Sequence, residues 1–305
     1  MDFYITILGC SAALPTATRQ CSSQVVNIDG YNLLIDCGEG TQNQIRRYRI
    51  KLQSMSDIFI SHLHGDHFFG LPGLLSSMHL CGRTEPVNIY APKGIRKILT
   101  HLFNASGAKL SFELVYHEIE TQEPILLLEN KKCKVFTFPL VHSVPTYGFL
   151  IEEQPSLPNL KSGVRKTYNL SPADILKIKI GEGYTTEEGR FIPTSALTKP
   201  ARPPKKYAYC CDTLFDESFI PHIKDVDLLC FDCTFDSSLT YIANDKLHGT
   251  SVSAAMAAKA ANTKQLLLTH FSARYNDVDS LVDEAKTIFP NTLAAYDGMR
   301  IKLGL

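Results

Sequence analysis

Short apolar runs bounded by Gly, Asn or Ser recur from the start of the chain, at Phe3 to Leu8, Gln24 to Ile28, Asn32 to Asp36 and Ile58 to Ser61. Runs of this length with such boundaries predict strands. Thr41 to Arg49 and Leu71 to Leu80 carry their apolar residues at helical spacing instead. The same texture returns after Lys205, with strands predicted at Tyr207 to Cys211, Asp227 to Phe231 and Gln265 to Thr269, and helices at Ser251 to Ala261 and Val278 to Phe289. Two halves of similar content predict a mixed α/β fold in which a pair of sheets face each other beneath flanking helices. Between Glu152 and Pro204 the chain becomes rich in Pro, Gly and Lys and poor in apolar runs, which reads as a protruding arm inserted into a single domain spanning residues 1–305.

Composition narrows the class without naming a partner. A chain of 305 residues with 44% hydrophobic and 20% charged residues is an ordinary soluble globular protein able to bury a sizeable core. Its 31 basic residues balance 31 acidic ones, so any nucleic acid must be met by a local patch. One candidate patch lies in the arm, where Lys161, Arg165, Lys166, Lys177 and Lys179 oppose the single acid Asp174 between residues 161 and 179. Lys161, Arg165 and Lys166 are the candidate RNA-backbone contacts, against the simpler reading of a solvated face. Nine scattered cysteines, an N-terminus reading as a strand and the lack of a long apolar stretch predict reduced thiols, no membrane span and a cytoplasmic location.

The chemistry concentrates where the strand Asp57–Ser61 runs out into His62-Leu63-His64-Gly65-Asp66-His67. In extended chain His62 and His64 point to one side, so both reach one cation, while Asp66 and His67 project from the turn after Gly65 towards a second. Desolvating so many imidazoles and a carboxylate without a metal is costly. The set suits zinc, and manganese or iron would also accept it. Three further apolar runs end in a ligand-type residue, at His142, Asp212 and His270, and ligands at strand ends converge on one sheet edge. His79, His101, His117 and His222 lack that context and read as ordinary surface residues.

The order H-x-H-x-D-H followed by His, Asp and His resembles the metallo-β-lactamase superfamily. Within it, the Leu8-Gly9 turn, Pro15-Thr16 with Arg19, Leu34 to Gln42 with its Gly-Glu-Gly-Thr-Gln, and Thr269 to Tyr275 resemble the short-form ribonuclease Z family over nearly the whole chain. That resemblance implies an αββα sandwich of the metallo-β-lactamase type. It implies two zinc ions, one on His62, His64 and His142 and the other on Asp66, His67 and His270, with Asp212 bridging. It implies a cytoplasmic homodimeric endoribonuclease that removes the 3′ trailer of precursor tRNA. Asp66 counts among both the metal ligands and the catalytic residues.

The leaving oxygen needs a proton, and His248 oriented by Asp232 is the candidate donor. Similar members carry a glutamate and a serine where this chain has Asp232 and Gly249. Thr250 at a helix start and Arg274 are candidate phosphate contacts, with Thr250 as a plain N-cap the alternative. The Gly-Pro element that grips the tRNA elbow in similar members is not found between Glu152 and Pro204. Two other readings stand beside the first: another binuclear-metal phosphodiesterase of the same fold, and a metal-stabilised RNA-binding scaffold.

Overall fold

The computed structural model describes residues 2–304. One seven-stranded sheet runs edge to edge through Arg300–Lys302, Phe3–Gly9, Ser23–Ile28, Tyr31–Cys37, Met55–Phe59, Val87–Pro92 and Leu114–Ile119. Its first strands pair antiparallel, and from Tyr31–Cys37 onward they pair parallel. A second seven-stranded sheet runs through Thr292–Ala294, Leu266–Thr269, Leu228–Asp232, Lys206–Cys210, Thr146–Glu153, Cys133–Leu140 and Ile125–Glu129.

Side-chain alternation explains how the sheets stack, because successive residues of a strand face opposite sides. Phe3, Ile5 and Ile7, with Val26, Leu33 and Ile35, join Val135, Phe149, Tyr207 and Leu229 of the second sheet in one buried cluster. Leu8, Val25 and Leu34 belong instead to a second cluster with Leu71, Leu74, Leu75 and Met78 of the helix Leu71–Leu80 and Leu99 of the helix Ile95–Ser106. The helix Ser251–Ala260 buries Ala254, Ala255, Ala257 and Ala258 in the first cluster, small side chains that admit close packing on the sheet. The architecture is therefore two facing mixed sheets flanked by helices, as the pattern of apolar runs predicted.

Residues Glu153–Pro204 form a separate compact unit. The unit is more structured than its composition predicted. Two short strand pairs, Asn159–Leu160 with Thr198–Lys199 and Tyr184–Thr185 with Phe191–Ile192, accompany the helix Pro172–Lys179. Leu170, Ile178, Ile192 and Leu197 make its own small core, from apolar residues too widely spaced to register as runs. Asp174 serves that helix: Ser171 Oγ accepts from the Asp174 amide, and the Ser171 amide donates to Asp174 at 3.0 Å, a reciprocal cap.

Three of the histidines read as surface residues are half-buried and make specific contacts. His117 lies on the strand Leu114–Ile119, stacks on Tyr90 with ring centroids 4.3 Å apart and pairs with Asn88. His79 accepts from the Ser111 amide at 3.0 Å, and His222 packs against Phe138. None of these three is a free surface imidazole, because a ring can be half buried against a neighbouring element that the local sequence does not reveal. His101 is exposed.

Candidate metal centre

The strand ends converge on one edge of the paired sheets. His142 follows Cys133–Leu140, Asp212 follows Lys206–Cys210, Asp232 closes Leu228–Asp232 and His270 follows Leu266–Thr269. The strand expected to reach Ser61 ends at Phe59, and the segment from His62 to His64 leads into one short helical turn, Gly65–Phe68, that carries Asp66 and His67. Asp36, Asp212 and His270 all adopt left-handed backbone, with φ of 56°, 53° and 61°. Non-glycine residues rarely take that conformation, and here it falls on three residues of one cluster, where strain accumulates at functional sites.

Ligand-type atoms of His62, His64, His142 and Asp212 lie within 4.8 Å of one another. A second group of the same tightness holds His67, Cys211, Asp212 and His270. Asp212 belongs to both. Its Oδ2 lies 3.6 Å from His62 Nε2, and its Oδ1 lies 3.1 Å from His67 Nε2 and 3.2 Å from His270 Nε2. Asp66 Oδ2 sits 3.4 Å from His270 Nε2 and 3.5 Å from His67 Nε2, and accepts from the Ala13 amide at 2.8 Å. All seven residues named as ligands from the sequence thus meet in one place. Cys211 was missed there: its thiol is buried beside Asp212, and only its neighbour looked like a ligand.

The donor set passes a test of fit to cations. Among the described residues, four buried side-chain polar atoms lack a hydrogen-bond partner, and two of them, His62 Nε2 and Asp212 Oδ1, belong to this cluster. Unpartnered buried polar atoms are costly, and cations held by the two groups would satisfy both. The electrostatics agree. Burial opposes the charge on Asp212, yet His270, His67 and His62 outweigh it and hold its carboxyl well below the usual range. Burial likewise opposes protonation of His270, but Asp212 and Asp232 lift its pKa to about 10. The buried acids demand positive charge, which protonated imidazoles or divalent cations can supply.

A supporting layer orients the ligands. Asp36 Oδ2 accepts from His67 Nδ1 at 2.7 Å, from Tyr209 Oη at 2.7 Å and from Ser61 Oγ at 2.9 Å, while Oδ1 accepts from the Ser61 amide at 2.7 Å. A carboxylate on one ring nitrogen fixes the tautomer and leaves the other free for a cation. Asp36 was read only as part of a motif; an Asp ending an apolar strand was the available signal. Thr234 Oγ1 contacts His270 Nδ1 at 3.0 Å and donates to Asp232 at 2.6 Å.

His248 and Asp232 are paired. Asp232 Oδ2 lies 2.9 Å from His248 Nδ1, and the same carboxylate accepts from the Thr234 amide at 2.9 Å. Burial lowers the pKa of His248, but Asp232 outweighs it and raises the imidazole above its ordinary value. Gly249 accounts for the short acid. A Cβ there would lie 2.3 Å from the Asp232 carbonyl oxygen, so the backbone after His248 rests directly on Asp232 and an aspartate reaches the ring.

Two phosphate-contact expectations divide. Thr250 is an N-cap: its hydroxyl accepts from the Ser253 amide at 3.1 Å, and Ser253 Oγ accepts from the Thr250 amide at 2.7 Å, with Thr250 buried. The N-cap, one of its two readings, is thus formed, with the hydroxyl proton left over. Arg274 lies at the rim, its guanidinium 4.9 Å above the Phe235 ring and its Nε 3.2 Å from Ser272 Oγ. Phe235 and Ser272 line a cleft of about 340 Å³ with His64, Asp66, Asp212 and His248. Lys161 is exposed, and its ammonium donates to the Ala196 and Ser195 carbonyls at 2.8 and 3.2 Å, which ties its own unit together. Arg165 and Lys166 remain exposed on the helical turn Val164–Thr167.

Comparison with known proteins places this site in a family. The family model for the anti-Pycsar protein Apyc1 matches residues 3–157, so this stretch falls within the family that model describes. Ribonuclease Z of Bacteroides fragilis is 40% identical over 301 residues, which cover 99% of each chain. Ribonuclease Z of Porphyromonas gingivalis is also 40% identical over 301 residues, again covering 99% of each. The crystal structure of human tRNase Z, short form, superposes with a TM-score of 0.73 at 28% identity, covering 99% of this chain and 100% of that one. With end-to-end likeness of that order, the chain belongs to the ribonuclease Z family of metallo-β-lactamase-fold proteins.

Proposed function

We infer that this chain is a metal-dependent endoribonuclease that hydrolyses the phosphodiester at the 3′ end of precursor tRNA and releases the trailer. The observation that carries the reading is the convergence of five imidazoles and two carboxylates on one cleft, with two orphaned buried ligand atoms, in a chain 40% identical end to end to ribonuclease Z. His62, His64 and His142 would hold one divalent cation, Asp66, His67 and His270 the other, and Asp212 would serve both. Zinc fits this nitrogen and carboxylate set best, and bound cations would supply a nucleophile at neutral pH and neutralise phosphoryl charge.

The chain's own groups do the rest. Asp36 and Thr234 fix the rings of His67 and His270. Asp232 holds Nδ1 of His248, which leaves Nε2 to carry a proton to the departing oxygen. Arg274, braced on Phe235 at the cleft rim, is placed to clamp a phosphate oxygen of the RNA. The unit Glu153–Pro204 offers Arg165 and Lys166 as a sequence-independent grip on the RNA backbone. Its lack of a Gly-Pro element means the grip differs from that of similar members. We place the enzyme in the cytoplasm as a homodimer on family resemblance; among the described residues no helix is long and apolar enough to cross a membrane.

Metal analysis together with cleavage of a precursor tRNA tests the reading. Purified protein is expected to hold about two transition-metal ions per chain and to release a mature 3′ end. Metal-free protein that still cuts the RNA, or metal-loaded protein that cuts only small phosphodiesters, would overturn it.

A further inference from the structure

A second cavity, of about 420 Å³, is lined by residues that follow closely in sequence on walls of the metal cleft. Two segments border both. Ala12 and Ala13 line the cleft while Pro15 lines the second cavity; Asp66 lines the cleft while Phe69, one helical turn later, lines the cavity. The Ala13 amide bound to Asp66 ties these two borders together. One turn of helix separates Asp66 from Phe69 by roughly 5 Å along the axis, less than the reach of a single nucleotide.

The walls specify what fits. Phe69 is 66% exposed, a large aromatic ring left open to solvent beside a polar active site. Its edge contacts Phe68, with ring centroids 5.0 Å apart. Gly65 keeps the ring in place, because a Cβ there would lie 2.3 Å from it. The floor is built of Gly40, Gly70 and Gly73, which leave a shallow slot; a Cβ on Gly73 would come 3.1 Å from Gln42 Oε1. The remaining lining offers amides from Gln20, Gln42 and Asn43 and the carboxylate of Glu39. No lysine or arginine is among the described residues that line it, so a phosphate would meet only the repulsion of Glu39. A flat aromatic face, amide edges and one acceptor that suits exocyclic amino groups are what a base requires.

We propose that this slot is a nucleobase subsite, in which Phe69 stacks the unpaired base of the nucleotide next to the phosphate being cut. The proposal rests on the endoribonuclease reading above. It adds a specificity contact on the side of the centre carrying Asp66, and it makes the enzyme sensitive to an unstacked base at one position.

The test uses metal-loaded protein and RNAs ending in a tRNA acceptor stem and trailer, with 2-aminopurine placed at one position at a time across the junction. A phosphorothioate at the scissile bond slows turnover during the binding measurement. One position is expected to be quenched several-fold by the wild-type chain, to lose that quench with Phe69→Ala and to recover it with Phe69→Trp. In cleavage, Phe69→Ala should raise KM roughly five- to hundredfold, Phe69→Leu should do nearly as badly, and the penalty should shrink below about twofold when that nucleotide is abasic. Equal quenching and KM for wild type and Phe69→Ala, with precursor still processed, would sink the subsite and leave the endoribonuclease standing. A penalty that persists on the abasic RNA would sink it too, by assigning Phe69 to structure. A wild-type chain that neither binds nor cuts these RNAs would overturn both.

Discussion

The two halves of the proposed metal centre are not alike. The side made by His62, His64 and His142 offers three imidazoles and leans on Asp212 for its only carboxylate, and burial with the neighbouring His67 pushes His62 well below its ordinary pKa. The side made by Asp66, His67 and His270 has its own carboxylate, and two further buried acids, Asp36 and Asp232, stand behind its imidazoles. Burial resists charge on His67, yet Asp212, Asp36 and Asp66 raise it far above its ordinary value. One side leans on a single shared carboxylate, while the other adds Asp66, Asp36 and Asp232 and is the acid-rich, charged side. The charged side should therefore bind its cation more tightly, and its supporting acids should matter more.

Breaking the shared residue should have the largest effect. Asp212→Ala removes the only carboxylate of one side and the bridge between both, so metal content measured by mass spectrometry should fall towards zero and precursor cleavage by about a thousandfold or more. Retention of both ions would show that the sides are independent. Next in size, His248→Ala should lower kcat by roughly a hundred- to ten-thousandfold with metal content unchanged, since the role proposed for His248 is on the leaving group and not on the ions. Full turnover with intact metal would remove it from the proton-donor role.

Asp36→Asn sharpens the contrast directly. It keeps the shape but weakens the carboxylate clamp on His67 Nδ1, so affinity on the charged side should fall roughly ten- to hundredfold in a chelator competition while the other side holds its ion. Loss of both ions in step would erase the distinction. The smallest effect belongs to the compact unit Glu153–Pro204. Replacing Arg165 and Lys166 by alanine should weaken RNA binding and reduce the slope of log affinity against log salt by about 1 to 2, whereas Lys161→Ala should leave the slope alone and loosen the unit. An unchanged slope for the double variant would place the RNA elsewhere.

Much of the site was legible because metal chemistry demands unusual residues in unusual places. His62, His64, Asp66 and His67 crowd into six positions at a strand end, and His142, Asp212 and His270 each terminate an apolar run. What stayed hidden was the layer behind them. Asp36 lies 31 positions from His67 in sequence, yet their side chains meet at 2.7 Å, and Cys211 gains its place only because Asp212 turns into the left-handed region beside it. The internal ties of Lys161 were equally hidden, since an ammonium advertises its chemistry but not its partner, whereas the N-cap at Thr250 was one of the two readings its place before a helix offered. The sequence likewise gives no reason for Gly249, which the Asp232 backbone lying against it supplies.

The sequence by itself determined the alternation of strands and helices, the two-sheet architecture and the identity of the candidate ligands, because periodicity and residue chemistry are local properties. Only the tertiary structure decided that Asp36 holds the ring of His67, that Thr234 contacts that of His270, and that a large exposed phenylalanine stands one helical turn from Asp66. Those depend on strand ends brought together from distant parts of the chain by burial of the apolar faces between the sheets, and no local pattern encodes that juxtaposition.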